Sequence, residues 1–336
     1  MRIVVTRGPV AESEHRVHGV IADVNGPRAV WGDRTRAVIP RSAIKFIQAV
    51  PLVRTGAAKR FNVTDIELAL ACSSHSGEAA HVDAVRAWLA RIGLDESALE
   101  CGPDDPIAGP GDRVGLSPEP IYNCCSGKHT GFLTVARHLG MDHRGYIEPD
   151  HPVQKLVTEA IEDVTGVDLS NQTPGRDGCA IPTFAIPLID LATAMARLTG
   201  PERLSPELRA SGTDEAARRL IEAPNGRQFW ISGTGRHEVF LGDAVAEPLM
   251  VKAGAEGVFM AALPERGIGL ACKAEDGGQR AAQAGISAML AWVGALAEDR
   301  VAAAVHNKSD DLVGHILVPD FNPDWEPSAG TTSNPG

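Results

Sequence analysis

Strand-like patterns at both ends of the chain enclose a long helical middle, and this order most constrains the fold. Over residues 3–31, short apolar runs are separated by Gly-Pro and Asn-Gly-Pro turns, which is typical of half-buried antiparallel strands. Strand-like runs return between residues 228 and 273. We therefore predict an α/β fold in which N- and C-terminal segments form one antiparallel sheet and a helical lobe is inserted between them.

The periodicity of apolar residues predicts the individual elements. After Pro40 the period becomes helical, and Pro51 should kink or end that helix. C-terminal strands are expected at 229–231, 238–241, 250–253, 257–263 and 267–273. Further helices are expected at 66–72, 78–92, 128–139, 152–164, 186–198 and 279–296.

These elements predict a single domain over residues 1–325 with two interwoven lobes. The sheet lobe comprises about 1–60 and 228–325, and the helical lobe about 61–227. The tail 326–336 is expected to be flexible, with fraying from Pro323 onward, because it is rich in Pro, Ser, Thr, Asn and Gly.

The charge balance argues against a nucleic-acid partner. The 336 residues include 32 Lys and Arg against 43 Asp and Glu, a formal net charge of −11. Binding to a phosphate backbone requires clustered basic residues. We therefore expect no nucleic-acid partner.

The sequence carries no signal for export or membrane insertion. The first ten residues hold too few consecutive apolar residues for a secretory signal, and no run approaches the roughly 18 apolar residues of a membrane span. Six cysteines in 336 residues are too dilute for a disulfide scaffold. We expect a cytoplasmic protein with no membrane partner, in which most cysteines are small buried hydrophobic residues.

Ser42 and Lys45 form an S-x-x-K pair at the start of the helix predicted after Pro40. Positions i and i+3 share a helix face, so a neutral Lys45 amine could accept the proton of the Ser42 hydroxyl. This spacing often arises by chance. The alternative is an ordinary helix start with a surface lysine.

The segment ACSSHSGE at 71–78 places several small polar groups directly after an apolar run. Its hydroxyl and backbone N–H groups could bind a polar ligand. Capping of the next helix by Ser76 is the alternative, and it explains only one of the serines.

Cys125 and Cys179 could supply a thiolate pair for zinc, together with a nitrogen donor. Asp177, two residues before Cys179, could orient a ligand through a hydrogen bond. The two cysteines lie far apart in the sequence and form no C-x-x-C motif, so buried packing is an equal alternative. A thiol nucleophile beside His129 is a third.

Lys252 is followed by Ala253 and Gly254 within a strand-like run. This pattern is similar to the K-T-G element of serine penicillin-recognising enzymes, where a small residue and Gly let a ligand approach the strand. An edge-strand lysine that faces water is the alternative.

Together these segments resemble one family. The blocks PRSAIKFIQAVPLV, CSSHSGE, NCCSGKHTGFL, DGCAIPTFAIPL and KAGAEGVF follow its order over about residues 1–325. The chain is similar throughout them to the L-asparaginases of the Rhizobium etli type, also called asparaginase II or class 3. The resemblance implies a serine β-lactamase-like or glutaminase-like α/β fold, a homodimer, zinc as cofactor, and hydrolysis of L-asparagine to L-aspartate and ammonia.

The resemblance also assigns residues. The catalytic positions are two serines and two lysines: Ser42, Lys45, Ser74 and Lys252. The zinc-binding positions are Cys125, Lys128 and Cys179. The positions expected beside the substrate are Arg41, His75 and Asp177. For Arg41, helix capping or a surface ion pair is an equal alternative.

The implied reaction is covalent: Ser42, deprotonated through Lys45, attacks the side-chain amide carbon, and water hydrolyses the resulting ester. Ser74 could equally be the nucleophile, since both serines can lie within reach of a lysine. Zinc could polarise the substrate or organise the pocket. The alternatives to an asparaginase are another amidohydrolase, glutaminase or β-lactamase-like, and a non-catalytic interaction protein that uses zinc or thiols.

Overall fold

The computed structural model describes residues 1–105 and 117–325, and its sheets contain strands from both ends of the chain. The strands in chain order are β1 (Arg2–Arg7), β2 (Val10–Asp23), β3 (Gly26–Trp31), β4 (Ala37–Val38), β5 (Gly175–Arg176), β6 (Pro182–Thr183), β7 (Ile186–Pro187), β8 (Met250–Gly254), β9 (Val258–Leu263), β10 (Ile268–Ala274), β11 (Ala303–His306) and β12 (Leu312–Leu317).

The main sheet has eight strands in the order β11-β12-β1-β2-β10-β9-β8, with β3 paired to β2. All of its pairs are antiparallel. β1 joins the two chain ends directly, because Val4 lies opposite Leu317 on β12. The expected sheet of N- and C-terminal segments is confirmed. Two short pairs, β4 with β7 and β5 with β6, lie outside it.

The middle of the chain is helical, as expected. The helices are α1 (Lys45–Gln48), α2 (Val50–Arg54), α3 (Ala57–Arg60), α4 (Asp65–Ala71), α5 (Ala79–Arg91), α6 (Ser126–Leu139), α7 (Pro152–Thr165), α8 (Leu188–Arg197), α9 (Pro206–Ala210), α10 (Thr213–Glu222), α11 (Gln228–Ser232), α12 (His237–Ala244) and α13 (Gln279–Trp292). A 3₁₀ turn, Arg41–Ile44, precedes α1. The long helices expected between residues 66 and 198 are all present, within two residues of their predicted ends.

The strands predicted at 229–231 and 238–241 are wrong, because the structure places α11 and α12 there. Apolar runs of three or four residues do not distinguish a buried strand from a helix. The buried residues reveal the helical period instead: Glu238 and Leu241, three apart, are the buried residues of α12.

The helix expected after Pro40 is present only in pieces. The 3₁₀ turn, α1 and α2 follow one another, and Pro51 lies in the first turn of α2. Proline is compatible with a first turn, where its missing N–H would have no partner in any case. Pro51 therefore begins a new helix rather than ending the old one.

Apolar side chains form two cores on opposite faces of the sheet. On β2, Val17 and Ile21 belong to the core shared with α13, whereas Val20 and Ala22 belong to the core shared with the central helices. Successive strand residues point to opposite faces, so this single strand packs against both layers. The sheet is therefore sandwiched between α13 and the helical part of the chain.

The described end of the chain is paired rather than frayed. The Val30 N–H donates to the Trp325 carbonyl at 2.9 Å, and the Gly32 N–H donates to Asp324 Oδ2 at 2.6 Å. The fraying predicted from Pro323 is therefore wrong as far as Trp325. The tail predicted at 326–336 lies outside the described residues.

All six cysteines are free, and five of them are buried, with Cys124 half-buried. In the described ranges, every helix is too short or too polar to cross a membrane.

Candidate active site

The Lys45 amine lies at the centre of the polar residues singled out from the sequence. The side chain is fully buried at the start of α1. Its Nζ lies 2.9 Å from Ser74 Oγ and 3.1 Å from Cys125 Sγ, and it donates to the Ser73 carbonyl. One buried lysine thus joins the 3₁₀ turn region, the loop after α4 and the start of α6.

Ser42 is half-buried in the 3₁₀ turn, and its carbonyl accepts a hydrogen bond from the Lys45 N–H. The hydrogen bond expected between the Lys45 amine and the Ser42 hydroxyl is not among the described hydrogen bonds of Lys45. Among the described residues, the hydrogen-bond partners of the Lys45 amine are on the Ser73–Ser74 and Cys125 segments. Ser42 lies three residues before Lys45, in the 3₁₀ turn that precedes α1.

The loop that carries Ser74 is fixed on both sides by backbone hydrogen bonds. The Ser74 N–H donates to the Ile231 carbonyl at 2.9 Å, and the His75 N–H donates to the Cys124 carbonyl at 3.1 Å. Glu78 adds a link, because its carboxylate accepts hydrogen bonds from the Thr234 N–H and hydroxyl, each at 2.8 Å. Ser74 is therefore held between α11 and the start of α6.

His75, expected beside the substrate, is buried and bonded within the protein. Nδ1 accepts from the Gly77 N–H at 3.1 Å, so Nε2 carries the proton and donates to Ser126 Oγ at 2.9 Å. Burial, with His81 and Lys45 nearby, lowers the pKa of His75 to about 3. The neutral ring thus fixes the conformation of the Ser74 loop.

Lys252 lies fully buried on β8, not on a water-facing edge. Nζ donates to the Ala253 carbonyl at 2.7 Å. Burial lowers the pKa of this amine to about 8, an effect that Glu238 opposes and Lys45 reinforces. A substantial fraction of Lys252 is therefore neutral near pH 8.

β8 approaches the 3₁₀ turn so closely that only glycine fits at its end. A Cβ atom on Gly254 would contact the Pro40 carbonyl and lie 3.0 Å from the Ala43 nitrogen. The close backbone approach places the Lys252 strand against the Ser42 turn.

Cys125, Lys128 and Cys179 converge in a buried cluster. Cys125 immediately precedes α6, Lys128 lies in its first turn, and Lys128 Nζ is 2.9 Å from Cys179 Sγ. Hydrogen bonds from Cys124 and Cys179, with the charges of Lys128 and Lys45, hold the pKa of Cys125 well below its usual value despite burial. These contacts favour the thiolate form of Cys125.

The pKa values of the other two residues of the cluster, Cys179 and Lys128, are raised rather than lowered. The hydrogen bond to Cys125, together with burial, raises the pKa of Cys179. Burial alone lowers the pKa of Lys128, but Cys125 and Cys179 outweigh it and the net shift is upward. Within the described residues, His129 has no hydrogen bond to a thiol: Nδ1 is bonded to the Tyr146 hydroxyl at 2.7 Å, and the buried Nε2 has no hydrogen-bond partner.

Cys125, Lys128 and Cys179 are all buried, and Lys128 Nζ lies 2.9 Å from Cys179 Sγ. Two sulfurs and one amine are donor types that zinc accepts. No group of three or more His, Cys, Asp or Glu with metal-binding geometry occurs in the described ranges. A zinc site here therefore needs Lys128 as the nitrogen ligand, and that amine must lose its proton to bind.

Arg41 and Asp177, both expected beside the substrate, contact each other. Arg41 Nε donates to Asp177 Oδ1 at 2.6 Å, and the same oxygen accepts the Gly178 N–H at 2.7 Å. Arg41 and Ala180 have φ values of 51° and 73°, which are uncommon for residues with a Cβ. The ion pair therefore joins two strained turns, one with Ser42 and one with Cys179.

A buried carboxylate next to Lys252 is absent from the sequence prediction. Glu238 is 1% exposed, and its Oε1 lies 3.6 Å from Lys252 Nζ. The sequence predicts a strand at 238–241, whereas Glu238 and Leu241 share one buried face of α12. Their spacing of three is the signal for a helix in this run, but two positions are too few to establish a helical period.

Comparison with known proteins agrees with the motif order. A sequence profile of the family described as L-asparaginase II matches residues 3–317. The chain belongs to the L-asparaginase II family. Membership supports an asparaginase-type amidohydrolase activity, with asparagine as the substrate that the family implies.

Two solved structures align with this family member. One is a β-lactamase from Mycobacterium bovis, at 17% identity and a TM-score of 0.38, covering 82% of this chain and 94% of that one. The other is described as Mglu in its native form, at 17% identity and a TM-score of 0.41, covering 82% of this chain and 64% of that one. No significant match was found among curated proteins.

Proposed function

We propose that the protein hydrolyses the side-chain amide of L-asparagine to L-aspartate and ammonia by covalent catalysis on a serine activated by lysine. The observation that carries the proposal is the set of three partners around the Lys45 amine: the Ser73 carbonyl, Cys125 Sγ and Ser74 Oγ.

These partners give a neutral Lys45 a defined orientation. The Ser73 carbonyl can only accept a hydrogen bond, and a thiolate at Cys125 can only accept one as well. A neutral amine has two N–H donors, which these two acceptors use. The remaining lone pair then points at the Ser74 hydroxyl, which is the arrangement that a general base needs.

The reaction then follows in balanced steps. Lys45 takes the Ser74 proton as Oγ bonds to the amide carbon, and the proton passes to the leaving nitrogen when the C–N bond breaks and ammonia departs. Water next adds to the ester carbon and gives a proton to the same amine. When the ester C–O bond breaks, the amine passes this proton to Ser74 Oγ, and aspartate is released. Ser42 is the alternative nucleophile.

Lys252 has a different part in the proposal. Its partly neutral amine near pH 8 makes it a second proton acceptor, separate from Lys45. Lys45 lowers the pKa of Lys252, because two nearby amines disfavour each other's protonation, and this helps to keep one of them neutral.

Zinc is part of the proposal as an occupant of the cluster of Cys125, Lys128 and Cys179. When bound, it would supply a Lewis acid for a polar substrate group, or order the pocket. Asp177, which is hydrogen-bonded to Arg41, would fix the position of the turn that carries Cys179. We also retain two earlier expectations in the proposal: a homodimer, on the resemblance alone, and the cytoplasmic location expected from the sequence.

The test is ammonia release from L-asparagine and L-glutamine, measured side by side with the purified protein. A pocket fitted to the shorter side chain should reject glutamine, because its amide would leave polar groups misplaced. Faster turnover of asparagine is the expected result. Equal turnover would indicate a broader amidohydrolase, and no turnover of any amide would leave the interaction-protein alternative.

A further inference from the structure

Glu238 is a buried carboxylate without a part in the proposed chemistry. It lies in the first turn of α12 and is 1% exposed. Its Oε1 lies 3.6 Å from Lys252 Nζ and accepts a hydrogen bond from the Ala253 N–H at 3.1 Å. Burying a charge is costly unless it is paired and hydrogen-bonded, and Glu238 meets both conditions through two adjacent residues of β8.

We propose that Glu238 is a positioning residue for Lys252, which holds the lysine amine in place on β8 and serves as its counter-ion. The inference rests on the proposed role of Lys252 as a proton acceptor. Glu238 itself has no contact with either candidate nucleophile among the described hydrogen bonds, so it acts through the lysine.

The geometry supports this role from two directions. The Lys252 amine donates a hydrogen bond to the Ala253 carbonyl at 2.7 Å. The Ala253 N–H in turn donates to the Glu238 carboxylate. α12 is thereby hydrogen-bonded to β8 at Ala253, the residue next to Lys252. A shift of Glu238 would move the strand backbone as well as the amine.

The charges that face Lys252 come from several elements. Glu238 and Arg236 belong to the α12 region and Lys45 to α1. Cys124, in the segment before α6, is neutral near pH 7, because its hydrogen bond to Cys125 and its burial raise its pKa well above the ordinary value. Cys72, after α4, is neutral near pH 7 because burial raises its pKa to about 12. Burial and Lys45 disfavour the charged form of the Lys252 amine, and Glu238 is the group that favours it most strongly.

Glu238 itself is ionised. Burial raises its pKa, but Lys252, two backbone N–H groups and Arg236 outweigh this, so the pKa lies below its ordinary value. Its position in the first turn of an eight-residue helix adds the favourable interaction of an anion with the helix N-terminus.

The experiment is the titration of Lys252 in wild type and in Glu238→Gln. Glutamine retains an oxygen for the Ala253 N–H but removes the charge. The chain has seven lysines, so ¹³Cε-lysine NMR is tractable, and the Lys252 signal is assigned by its loss in Lys252→Met. We expect its titration in Glu238→Gln to move down by at least about one pH unit. An unchanged titration would overturn the proposal.

Kinetics provide a second readout. If Lys252 accepts a proton during turnover, the acid limb of the kcat profile should move to lower pH together with the NMR titration. Glu247→Gln is the matched control, because Glu247 forms an ion pair with Arg266 and has no hydrogen bond to Lys252 among the described residues. It should leave both curves at their wild-type positions.

Glu238→Asp covers the case in which the glutamine variant does not fold. The carboxylate keeps its charge but is withdrawn by one methylene. We expect a smaller downward shift of the Lys252 titration and a fall in kcat with little change in KM. If neither the titration nor kcat moves, Glu238 does not position the lysine.

The two proposals fail in different ways. If the wild-type protein releases no ammonia from asparagine, the proposed function fails, and the NMR titration still tests the link between Glu238 and Lys252. If ammonia is released but the titration is the same in wild type and Glu238→Gln, only this inference fails.

Discussion

Arg41 Nε lies 2.6 Å from Asp177 Oδ1 and so connects the turn that carries Ser42 with the turn that carries Cys179. Both turns contain a residue with positive φ, Arg41 in one and Ala180 in the other. Such conformations cost free energy and persist where surrounding contacts enforce them. The ion pair is one of those contacts, and it couples the proposed metal cluster to the 3₁₀ turn.

Asp177→Asn should therefore lower activity more than the loss of an exposed ion pair would. We expect kcat/KM for asparagine to fall by about 10- to 100-fold, because the turns shift relative to each other, and the free energy of unfolding to fall by about 1–3 kcal/mol. Glu148→Gln is the control, since it removes an exposed pair with the nearby Arg176 and should cost less than about 1 kcal/mol. Equal effects of the two changes would contradict the linking role.

Ser74→Ala should remove the hydroxyl that faces the Lys45 amine. We expect kcat to fall by about 10³-fold or more, as for loss of a nucleophile, with a smaller loss in Ser42→Ala. The measurement is kcat together with mass spectrometry of an acyl-enzyme trapped by acid quench. An adduct that survives Ser74→Ala but disappears in Ser42→Ala would make Ser42 the nucleophile.

The metal cluster can be tested by elemental analysis. We expect zinc in the purified protein, and less of it in Cys179→Ser and Lys128→Met, because each change removes one of three proposed ligands. Cys272→Ser is the control, since this buried cysteine lies on β10 and donates to the Ala282 carbonyl. Zinc content that is the same in all four proteins would remove the metal site.

Removal of the metal should weaken substrate binding more than it unfolds the chain. A core on both faces of an eight-stranded sheet does not depend on a structural metal. We expect chelation to raise KM for asparagine while Tm changes by only a few degrees, on the order of 1 kcal/mol of stability. Loss of the folded state on chelation would contradict this.

His75 makes stability depend on pH with a definite sign. Its pKa falls from 6.5 to about 3 in the folded protein, so between these values the unfolded chain binds the proton and the folded chain does not. Wild-type stability should therefore fall as pH decreases from 6.5 towards 3. His75→Gln lacks this term, so its deficit relative to wild type should be larger at pH 8 than at pH 5 in urea unfolding. A deficit that is equal at both pH values would show that His75 does not titrate in this way.

Gly254→Ala tests the contact between β8 and the 3₁₀ turn. The added Cβ would press on the Pro40 carbonyl and the Ala43 nitrogen, so we expect a loss of about 1–3 kcal/mol of stability and lower kcat. Gly131→Ala in α6 is the control, because its nearest neighbour would be an ordinary 3.5 Å away and alanine favours helices. The measurement is the thermal unfolding of both variants. If neither change lowers stability, the backbone around Gly254 can move enough to accept a Cβ atom.

From the sequence, the architecture could be predicted more accurately than the contacts between side chains. Alternating apolar residues at both ends were sufficient to predict the main sheet, and the long helices were evident from their period. α11 and α12 were missed because their apolar runs are too short to show a helical period. The error concealed Glu238, since a strand interpretation gives no reason to place that carboxylate beside Lys252.

The partners of Lys45 show why a site is harder to predict than a fold. Ser42, three residues away, was the expected partner because local spacing predicts local contacts. The observed partners are 28, 29 and 80 residues away, and they meet the lysine only after α4 and α6 have packed. Without the resemblance to a family, nothing in the sequence relates these segments.

The pairing of Val4 with Leu317 has a consequence for synthesis of the chain. β1 and β2 leave the ribosome long before their partners, so β1 lacks β12 and β2 lacks β10 until those later strands have been made. Contacts between such distant segments form slowly, and an unpaired apolar strand edge can associate with other chains meanwhile. The β1–β2 hairpin must therefore avoid association with other chains for as long as β10 and β12 have yet to be made.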